Sequence, residues 1–546
     1  MSAVGETFDY IVTGAGSAGC VLANRLSESG RHRVLLLEAG PPDNNIWIHI
    51  PLGFAKTYVD PRVNWKLQTE PQPQLGNRRL YLPRGKTLGG SSSINGMVYI
   101  RGSHGDYDEW RQRGCEGWDW DSVLPFFKRA ENQVRGADDY HGVGGPLHVS
   151  DQPGRFELAD AALAAAEQAG IPRNPDFNGA HQEGCGYYQT TSNNRRRWST
   201  AKAYLEPARG RPNLTIRTGA HATRVVIENR RAVGVEYHTG DGRRTAHAGG
   251  EVIVSGGTYG SPQLLLLSGL GPAQHLQDMG IAVIRDMPAV GANLHDHFNS
   301  YVSWRCPKAI TLNDLENSAW RKLTAGVRYF LFRSGPMASN GIHAGLFTRS
   351  DPRFERPDIQ INIFEWSTVR RDKDRVVPHP FPGFTMSPVH LRPDGRGTVR
   401  LASPDPLASP AILFDYLRTD YDMQAVLFGI RLARKIAAQP ALQPYVAVEL
   451  APGQDVQSDA DLHEYVRQSG VSNQHPTSSC AMGHGTNTVV DPRLRVHGIE
   501  GLRVADASIM PVAVGGNTNA PTIMIGEKCA AMILEDAAAA PARSAA

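Results

Sequence analysis

The chain has 546 residues, of which 41% are hydrophobic and 20% are charged, so it is long enough for two or three domains with sizeable cores. The net charge of +3 and the lack of a long basic run argue against a nucleic-acid partner. Six scattered cysteines without a CxxC pair exclude the common zinc and dithiol motifs, and we expect no metal site.

The sequence contains no stretch of about 18 uninterrupted apolar residues, so we expect no transmembrane segment. The first residues, MSAVGETFDYIV, lack the basic region and the long apolar stretch of a signal peptide. We therefore expect a cytoplasmic protein, with peripheral attachment to a membrane as the alternative location.

The first recognisable unit is a strand–helix–strand pattern in residues 8–40. An apolar strand, Tyr10 to Thr13, meets the turn GAGSAG, and a helical pattern follows. A second apolar strand, Val34 to Leu37, ends in a glutamate. This order is the fingerprint of a dinucleotide-binding βαβ unit.

The glycines and the glutamate of this unit each have a physical task. Gly14 allows the tight turn, Gly16 lets a pyrophosphate approach the backbone, and Gly19 lets the helix pack closely on the strand. Glu38 can accept hydrogen bonds from both ribose hydroxyls, and its charge would repel the 2′-phosphate of NADP. FAD and NAD both remain open at this point, and the position of the unit at the start of a long chain favours FAD.

Three further elements follow in chain order. PRGKTLGGSSSINGMVYIRG (83–102) is a loop whose small side chains expose backbone amides to a flat or anionic ligand. SGGTYGSPQLLLLSGLGP (255–272) is a strand, a turn and a leucine-rich helix. In GLRVADASIMPVAVGGNTNAPTIMIGEKCAAMILED (501–536), a short strand precedes Asp506, and a helix begins near Pro521.

The remaining segments have a different character and predict a second domain. Strands are predicted at Pro357 to Phe364 and Thr398 to Leu401, and a helix is predicted at Met423 to Ala438. We assign residues 1–150, 205–300 and 470–546 to a discontinuous cofactor domain. Residues 151–204 and 301–469 are assigned to an inserted substrate-binding domain.

The four elements, in this order and spacing, resemble the glucose–methanol–choline (GMC) family of FAD-dependent oxidoreductases. Within the family, the chain looks most like choline-dehydrogenase-like and aliphatic alcohol dehydrogenase members. RGKTLGGSSSINGMVYIRG, GSPQLLLLSGLGP and RVADASIMP carry this likeness. The resemblance implies an α/β fold: a Rossmann-like FAD-binding domain with an inserted substrate domain built on an antiparallel sheet flanked by helices.

The resemblance also implies which residues hold the FAD. Val225 would meet the adenine with its backbone, and the helix beginning near Pro521 would direct its positive end at the flavin. Other members tether FAD through a histidine at the position that is Ile94 here, so we expect non-covalent FAD. The implied FAD contacts are Gly14, Gly16, Ser17, Ala18, Glu38, Ala39, Gly89, Gly90, Asn95, Gly96, Met97, Val225, Asp506, Ala507 and Thr522.

A catalytic pair is implied by the same resemblance. His475, in SNQHPTSSCAMGHG, would face flavin N5 across from Asn519, the second asparagine of NTNAP. A histidine with a pKa of about 6.5 suits removal of the hydroxyl proton at neutral pH, and the asparagine can orient the same oxygen. The HDH triplet at 295–297 looks like a metal cluster, but it matches a family loop near the cofactor that binds no metal.

The substrate is expected to be a neutral primary alcohol, aliphatic or aryl. His343 stands where choline-handling members carry a carboxylate, and Asn362 stands where they carry a second histidine, so the cation-binding pattern is missing. Phe364 and Trp366 could provide an apolar wall. Choline dehydrogenase or choline oxidase activity is the alternative.

Several points stay open in the sequence. The electron acceptor could be oxygen, a quinone or another acceptor, and the oligomeric state is unknown. A lyase of the same fold with non-redox FAD, a non-catalytic binding protein and an NAD-dependent enzyme are the competing interpretations.

Overall fold

A seven-stranded sheet is built mainly from the apolar strands at the beginning of the chain and around residue 250. The structure, a computed structural model, describes residues 6–539. From one edge to the other, the strands of this first sheet are Leu214–Arg217, Val34–Leu37, Thr7–Thr13, Gly242–Val254, Arg231–Thr239 and His221–Glu228, and Leu502–Val504 pairs alongside Gly242–Val254.

The parallel half of the first sheet is buried on both faces. Thr7–Thr13 pairs in parallel with Val34–Leu37 and with Gly242–Val254. Every residue of Val34–Leu37 is buried, as expected for a parallel strand covered by helices on both sides. The helices Ser17–Ser27 and Asn519–Ala539 pack together, and a Cβ at Gly526 would lie only 2.9 Å from Val21 Cβ.

A second sheet has eight strands, and its strand pairs are antiparallel. Its main path runs through Val448–Ala451, Val302–Arg305, Gly383–His390, Ile359–Phe364, Ile342–Thr348 and Gly184–Tyr187, while Phe298–Asn299 pairs with both Gly383–His390 and Val471–Ser472.

The helices Asp420–Ala437 and Glu157–Gln168 contribute their apolar residues to a core shared with this second sheet. Asp420–Ala437 begins with a capping box, in which Thr419 and Asp422 each bond the other's backbone N–H. The predicted strand at 357–364 and the predicted helix at 423–438 are therefore present at Ile359–Phe364 and Asp420–Ala437.

The remaining secondary structure consists of shorter elements. The other helices of five or more residues are His104–Gln112, Trp120–Ala130, Ala201–Leu205, Gly257–Leu267, Ala273–Asp278, Leu312–Glu316, Ala319–Phe332 and Asp459–Ser469. Short two-stranded pairings include Ser192–Asn193 with Arg196–Arg197, Thr368–Arg371 with Val376–Pro378, and Thr398–Arg400 with Ala411–Leu413.

The predicted fold class is confirmed: a Rossmann-like α/β unit is combined with an antiparallel sheet flanked by helices. Two short strands, Phe298–Asn299 and Val471–Ser472, belong to the second sheet, although the sequence assigns both segments to the cofactor domain. The ends of that predicted domain, 1–5 and 540–546, lie outside the described residues.

Between residues 6 and 539, no helix combines the length and the apolar character that a membrane span requires.

Candidate active site and cofactor cleft

The first glycine turn is held by close backbone contacts. Gly14 has φ +95°, and a Cβ there would lie 2.4 Å from the Ser255 carbonyl oxygen. A Cβ at Gly19 would lie 1.9 Å from the Gly14 oxygen, so neither position tolerates a larger residue. At Gly16, by contrast, a Cβ would meet nothing within 4 Å. Open space therefore lies at the N-terminus of the helix that begins at Ser17, where an anion is stabilised.

The glycine–serine loop packs directly onto this turn. The Gly89 N–H donates to the Ala15 oxygen over 2.8 Å, and a Cβ at Gly90 would lie 2.7 Å from Gly16 Cα. Gly90–Ser93 forms a short 3₁₀ turn. Two glycine-rich turns thus meet at one point, which gives a pyrophosphate access to backbone amides from two sides.

Glu38 lines the cavity beside the first glycine turn. Its two carboxylate oxygens accept hydrogen bonds from the N–H groups of Ala15, over 2.9 Å, and Gly40, over 2.8 Å. Burial raises the pKa of Glu38 to about 7, while these backbone bonds oppose the rise. Each oxygen keeps a second lone pair, so the carboxylate fits the two hydroxyls of a ribose.

A single cavity of about 890 Å³ is lined both by Glu38 and by His475. This volume suits a dinucleotide together with a small substrate. The predicted residues that line it are Gly14, Gly16, Ser17, Ala18, Glu38, Ala39, Gly90, Asn95, Gly96, Met97, Asn362, Phe364, His475, Asp506, Ala507, Asn519 and Thr522.

Two predicted cofactor residues do not line the cavity. Gly89 lies beneath the loop, where it bonds Ala15. Val225 is buried, and its backbone N–H donates to Ser268 Oγ over 2.8 Å, so it has no N–H left for an adenine. Ala222, earlier on the same strand, lines the cavity instead. The structure therefore does not place Val225 at the cavity wall, contrary to the expectation, but places Ala222 there.

His343 points away from the cavity, contrary to the expectation of a pocket residue. It follows Ile342, which lines the cavity, and successive strand residues point to opposite faces. The His343 ring stacks on Phe156 with centroids 3.3 Å apart, and its Nδ1 lies 2.8 Å from Glu365 Oε1. His343 is therefore part of the packing behind the sheet and would not contact a substrate.

Trp366 lies one layer behind the cavity wall. Its ring centroid is 5.0 Å from that of Phe364 and 5.8 Å from that of Phe54, and both of these phenylalanines line the cavity. The expected apolar wall is thus formed by Phe364 and Phe54, with Trp366 supporting them.

His475 lines the cavity and belongs to a buried polar cluster. Its Nδ1 lies 3.0 Å from His297 Nδ1 and 3.2 Å from Asn473 Nδ2, and its Nε2 lies 3.0 Å from Asn517 Nδ2. Burial holds the pKa of His475 well below its usual range, and the nearby His297 and Arg84 lower it further. The imidazole is therefore neutral at neutral pH and can accept a proton.

The partner of His475 is Asn517, the first asparagine of NTNAP, and the expectation of Asn519 is corrected. Asn519 Oδ1 accepts a hydrogen bond of 2.7 Å from Ser17 Oγ, which joins the starts of two helices. Two asparagines separated by one residue cannot be told apart by sequence, because the loop geometry decides which one turns towards His475.

The HDH triplet supports His475 from behind. Asp296 Oδ1 accepts from the His475 backbone N–H over 2.7 Å, and its other oxygen accepts from Ser472 and Tyr416. Burial raises the pKa of Asp296 to about 6, against the effect of these hydrogen bonds. Burial also lowers the pKa of His297 to about 3. The triplet thus holds the histidine loop in place.

Arg197 supports the glycine–serine loop, and sequence reasoning missed it. It is 1% exposed, although it belongs to the NNRRRWS segment that looks like a solvated patch. Its guanidinium donates to the carbonyl oxygens of Ile48, Ser92 and Asn95, and to Asn95 Oδ1 over 2.7 Å. These bonds fix the glycine–serine loop from below. Because Arg197 follows two other arginines in the same segment, the sequence carries no signal that this one is buried.

Comparison with known proteins identifies the family to which the chain belongs. Two family models described as GMC oxidoreductase match the chain, one over residues 8–299 and the other over residues 393–526. The chain is 44% identical over 532 residues to the oxygen-dependent choline dehydrogenase of Pseudomonas aeruginosa, covering 96% of this chain and 94% of that one. It is 43% identical over 530 residues to an alcohol dehydrogenase [acceptor] of Pseudomonas putida, covering 96% of each.

A solved structure is similar as well. A formate oxidase variant from Aspergillus oryzae, studied for FAD modification, is 27% identical with a TM-score of 0.91, covering 98% of this chain and 99% of that one. A cavity lined by two glycine-rich turns and a buried histidine, together with these relatives, identifies an FAD-dependent oxidoreductase acting on CH–OH donors. The chain belongs to the GMC oxidoreductase family.

Replacing Arg197 with methionine should weaken cofactor retention. The variant leaves buried carbonyl oxygens without a donor, which costs about 1–3 kcal/mol for each unsatisfied group. We expect a lower ratio of bound FAD to protein in absorbance spectra and a lower melting temperature. Arg195→Met, in the same segment but exposed, is the matched control. Equal FAD content in both variants would contradict the assigned role.

Proposed function

We propose that the protein oxidises a non-cationic primary alcohol to the aldehyde, with His475 as the base that removes the hydroxyl proton. The supporting observation is the pairing of His475 Nε2 with Asn517 Nδ2 at 3.0 Å at the cavity wall. These two side chains offer one acceptor and one donor at the same point. An alcohol oxygen needs this combination when it loses its proton.

The proton path follows from the tautomer of His475. Because the Asn517 amide donates to Nε2, the ring proton of His475 lies on Nδ1. His297 Nδ1 accepts the hydrogen bond from that N–H group. Nε2 is then free to take the proton of an alcohol that displaces the Asn517 contact, and the Asn517 amide can donate to the alcohol oxygen. A bound FAD would supply the acceptor for the hydride that leaves the alcohol carbon.

The charges around the cavity favour an uncharged alcohol over choline. Arg371 lines the cavity, with its guanidinium 4.3 Å from the ring centroid of Tyr58. The two carboxylates of the same hairpin, Asp372 and Asp374, pair with other cations, and Arg371 makes no ion pair with any residue from 6 to 539. A fixed positive charge of this kind repels a trimethylammonium group.

Non-covalent FAD is part of the proposal. Ile94 lines the cavity at the position where other family members carry the tethering histidine. An aliphatic side chain has no nucleophilic atom that could form a bond to the flavin, which supports a cofactor held by the cleft alone.

Oxidation of choline is the second candidate. It is favoured by the 44% identity to a choline dehydrogenase, whereas the alcohol dehydrogenase [acceptor] relative supports the first candidate at nearly the same identity. The choline dehydrogenase is named as oxygen-dependent, whereas the name of the alcohol dehydrogenase specifies only an acceptor. We propose that a quinone or oxygen reoxidises the enzyme here.

Anaerobic absorbance of the purified holoenzyme tests the proposal. Primary aliphatic and aryl alcohols should bleach the yellow FAD band, whereas choline should bleach it much more slowly. If choline bleaches the FAD fastest, the second candidate is correct. If no alcohol bleaches it, a lyase-type reaction gains support. Admission of air then separates oxidase from dehydrogenase, because only an oxidase recovers its colour rapidly with formation of peroxide.

The Asn517→Ala variant should lose turnover while it retains its FAD. Without the amide donor the alcohol oxygen is poorly oriented, and misplacement of reacting groups costs on the order of 10²-fold in kcat. Asn519→Ala is the matched control. It breaks the bond to Ser17 and should affect FAD retention more than kcat. The reverse pattern would return the catalytic role to Asn519.

The pH dependence of kcat/KM should lack the usual histidine limb. Because the pKa of His475 is held well below its ordinary value, the neutral base persists as pH falls through about 6.5 and is lost only in more acidic solution. A profile measured with a neutral alcohol should therefore stay flat through that range. A loss of activity centred near the ordinary histidine pKa would contradict the buried, neutral base.

Arg371→Gln should improve choline oxidation selectively. Removal of one partly screened charge repulsion is worth roughly 1 kcal/mol, or about fivefold in kcat/KM for choline. The value for a neutral alcohol of similar size should change little. Arg370→Gln, in the same hairpin but exposed and paired with Asp372, is the control. Equal effects on both substrates would show that Arg371 does not discriminate by charge.

A further inference from the structure

The helix Ala319–Phe332 presents an apolar face to solvent. Trp320 is 71% exposed, Leu323 59% and Leu331 69%, and Val327 and Phe330 are about half exposed. Spacings of three and four residues place these five side chains on one side of the helix. Phe332, at the end of the helix, is exposed as well. Side chains of this size are normally found in a protein core.

The opposite side of the same helix attaches it to the protein. Ala325 and Tyr329 are buried, and Tyr329 packs with Ile50 and Ala338. The Tyr329 hydroxyl donates to the Arg195 carbonyl oxygen over 3.1 Å. The helix therefore has two apolar sides, and only one of them is covered by residues between 6 and 539. A contiguous exposed apolar stripe of this kind marks an interaction surface.

Cations surround the exposed stripe. Arg328 and Arg333 come from the helix and its C-terminal end, and Arg195 and Arg196 come from the neighbouring hairpin. Arg195 Nη1 donates to the Arg333 carbonyl oxygen over 3.0 Å, which places the hairpin beside the helix end. None of these four arginines makes an ion pair with a carboxylate in the described part of the chain. Arg321 and Lys322, in the first turn, are held more loosely, 3.9 Å from Asp314 and 3.7 Å from Glu316.

We propose that this surface docks on a membrane that contains anionic lipids. An amphipathic helix with aromatic and aliphatic residues on its exposed side and arginines at its border is the pattern of a helix lying in the bilayer interface. The stripe enters the acyl boundary, and the four arginines meet lipid phosphates. A second copy of this chain is a poorer occupant, because a twofold contact through the stripe would bring the same arginines together.

Docking of this helix places the active site close to the lipid phase. The segment that follows the helix leads to Asn340, whose amide donates to the Gly96 carbonyl oxygen over 2.6 Å, and to Ile342, which lines the cavity. If the proposed alcohol oxidation is correct, apolar alcohols and a lipid-soluble quinone would reach the enzyme from the bilayer. This consequence rests on the proposed function, whereas the docking itself does not.

Flotation of the holoenzyme with vesicles tests the docking. The protein should float with vesicles of phosphatidylcholine and phosphatidylglycerol in equal parts, and much less with phosphatidylcholine alone or at high salt. The double variant Leu323→Glu, Phe330→Glu should stay in the soluble fraction. Val134→Glu, at a position that is 62% exposed elsewhere on the surface, is the matched control and should float like the wild type.

Two further variants separate the charge contribution from the apolar one. Arg196→Gln combined with Arg328→Gln should lower the vesicle partition coefficient roughly tenfold or more, because each basic residue at an anionic surface is worth about 1 kcal/mol. With brominated acyl chains in the vesicles, tryptophan fluorescence should be quenched. Trp320→Phe should still bind but lose most of that quenching, because Trp320 is the exposed tryptophan.

The outcomes are distinguishable from failure of the fold or of the proposed function. All variants should keep their FAD and their turnover of a water-soluble alcohol with a soluble dye acceptor. Absence of flotation by the wild type, or flotation of the Leu323→Glu, Phe330→Glu variant, would overturn the proposal. A change from dimer to monomer in that variant, without vesicle binding by the wild type, would assign the surface to a second copy instead.

Discussion

Close contact between backbones at the glycine turns is the constraint on which the rest of the structure depends. Gly14, Gly19 and Gly90 sit where any Cβ would overlap a neighbouring main chain. Because these segments approach so closely, the first turn and the glycine–serine loop form one cleft with amides on both sides. The same loop continues to Met97 at the cavity wall, so the nucleotide cleft and the reaction site are positioned by one piece of chain.

Desolvation gives the reaction site its chemical character. His475 and His297 share a hydrogen bond in a buried setting that disfavours the charged form of each. Protonation by bulk solvent is therefore suppressed, and a base is kept ready for an alcohol. The cost of burying so many polar groups is offset by hydrogen bonds. Asp296 holds the His475 backbone N–H, and the Asn517 amide at Nε2 orients the ring.

The sequence was sufficient for the βαβ unit and insufficient for side chains whose positions depend on contacts between distant segments. Local rules decide the βαβ unit, since glycine positions, apolar strands and Glu38 each carry their own signal. The choice between Asn517 and Asn519, the direction of His343 and the burial of Arg197 depend on how distant segments meet. Successive residues of a strand point to opposite faces of the sheet. The sequence therefore predicts a strand that contains His343 but not the face towards which its side chain points. Family likeness implied an adenine contact at Val225, whereas Ala222 of the same strand is the residue that lines the cavity.

The most direct test of the account is the rate of anaerobic flavin reduction by a primary alcohol in a His475→Ala variant. The variant should purify with FAD bound, because the His475 side chain bonds His297, Asn473 and Asn517 and not the glycine turns or Glu38, which we expect to hold the cofactor. We predict that reduction slows by roughly 10²–10⁴-fold, the usual contribution of a general base. Reduction at the wild-type rate, with FAD bound, would contradict the assignment of His475 as the base.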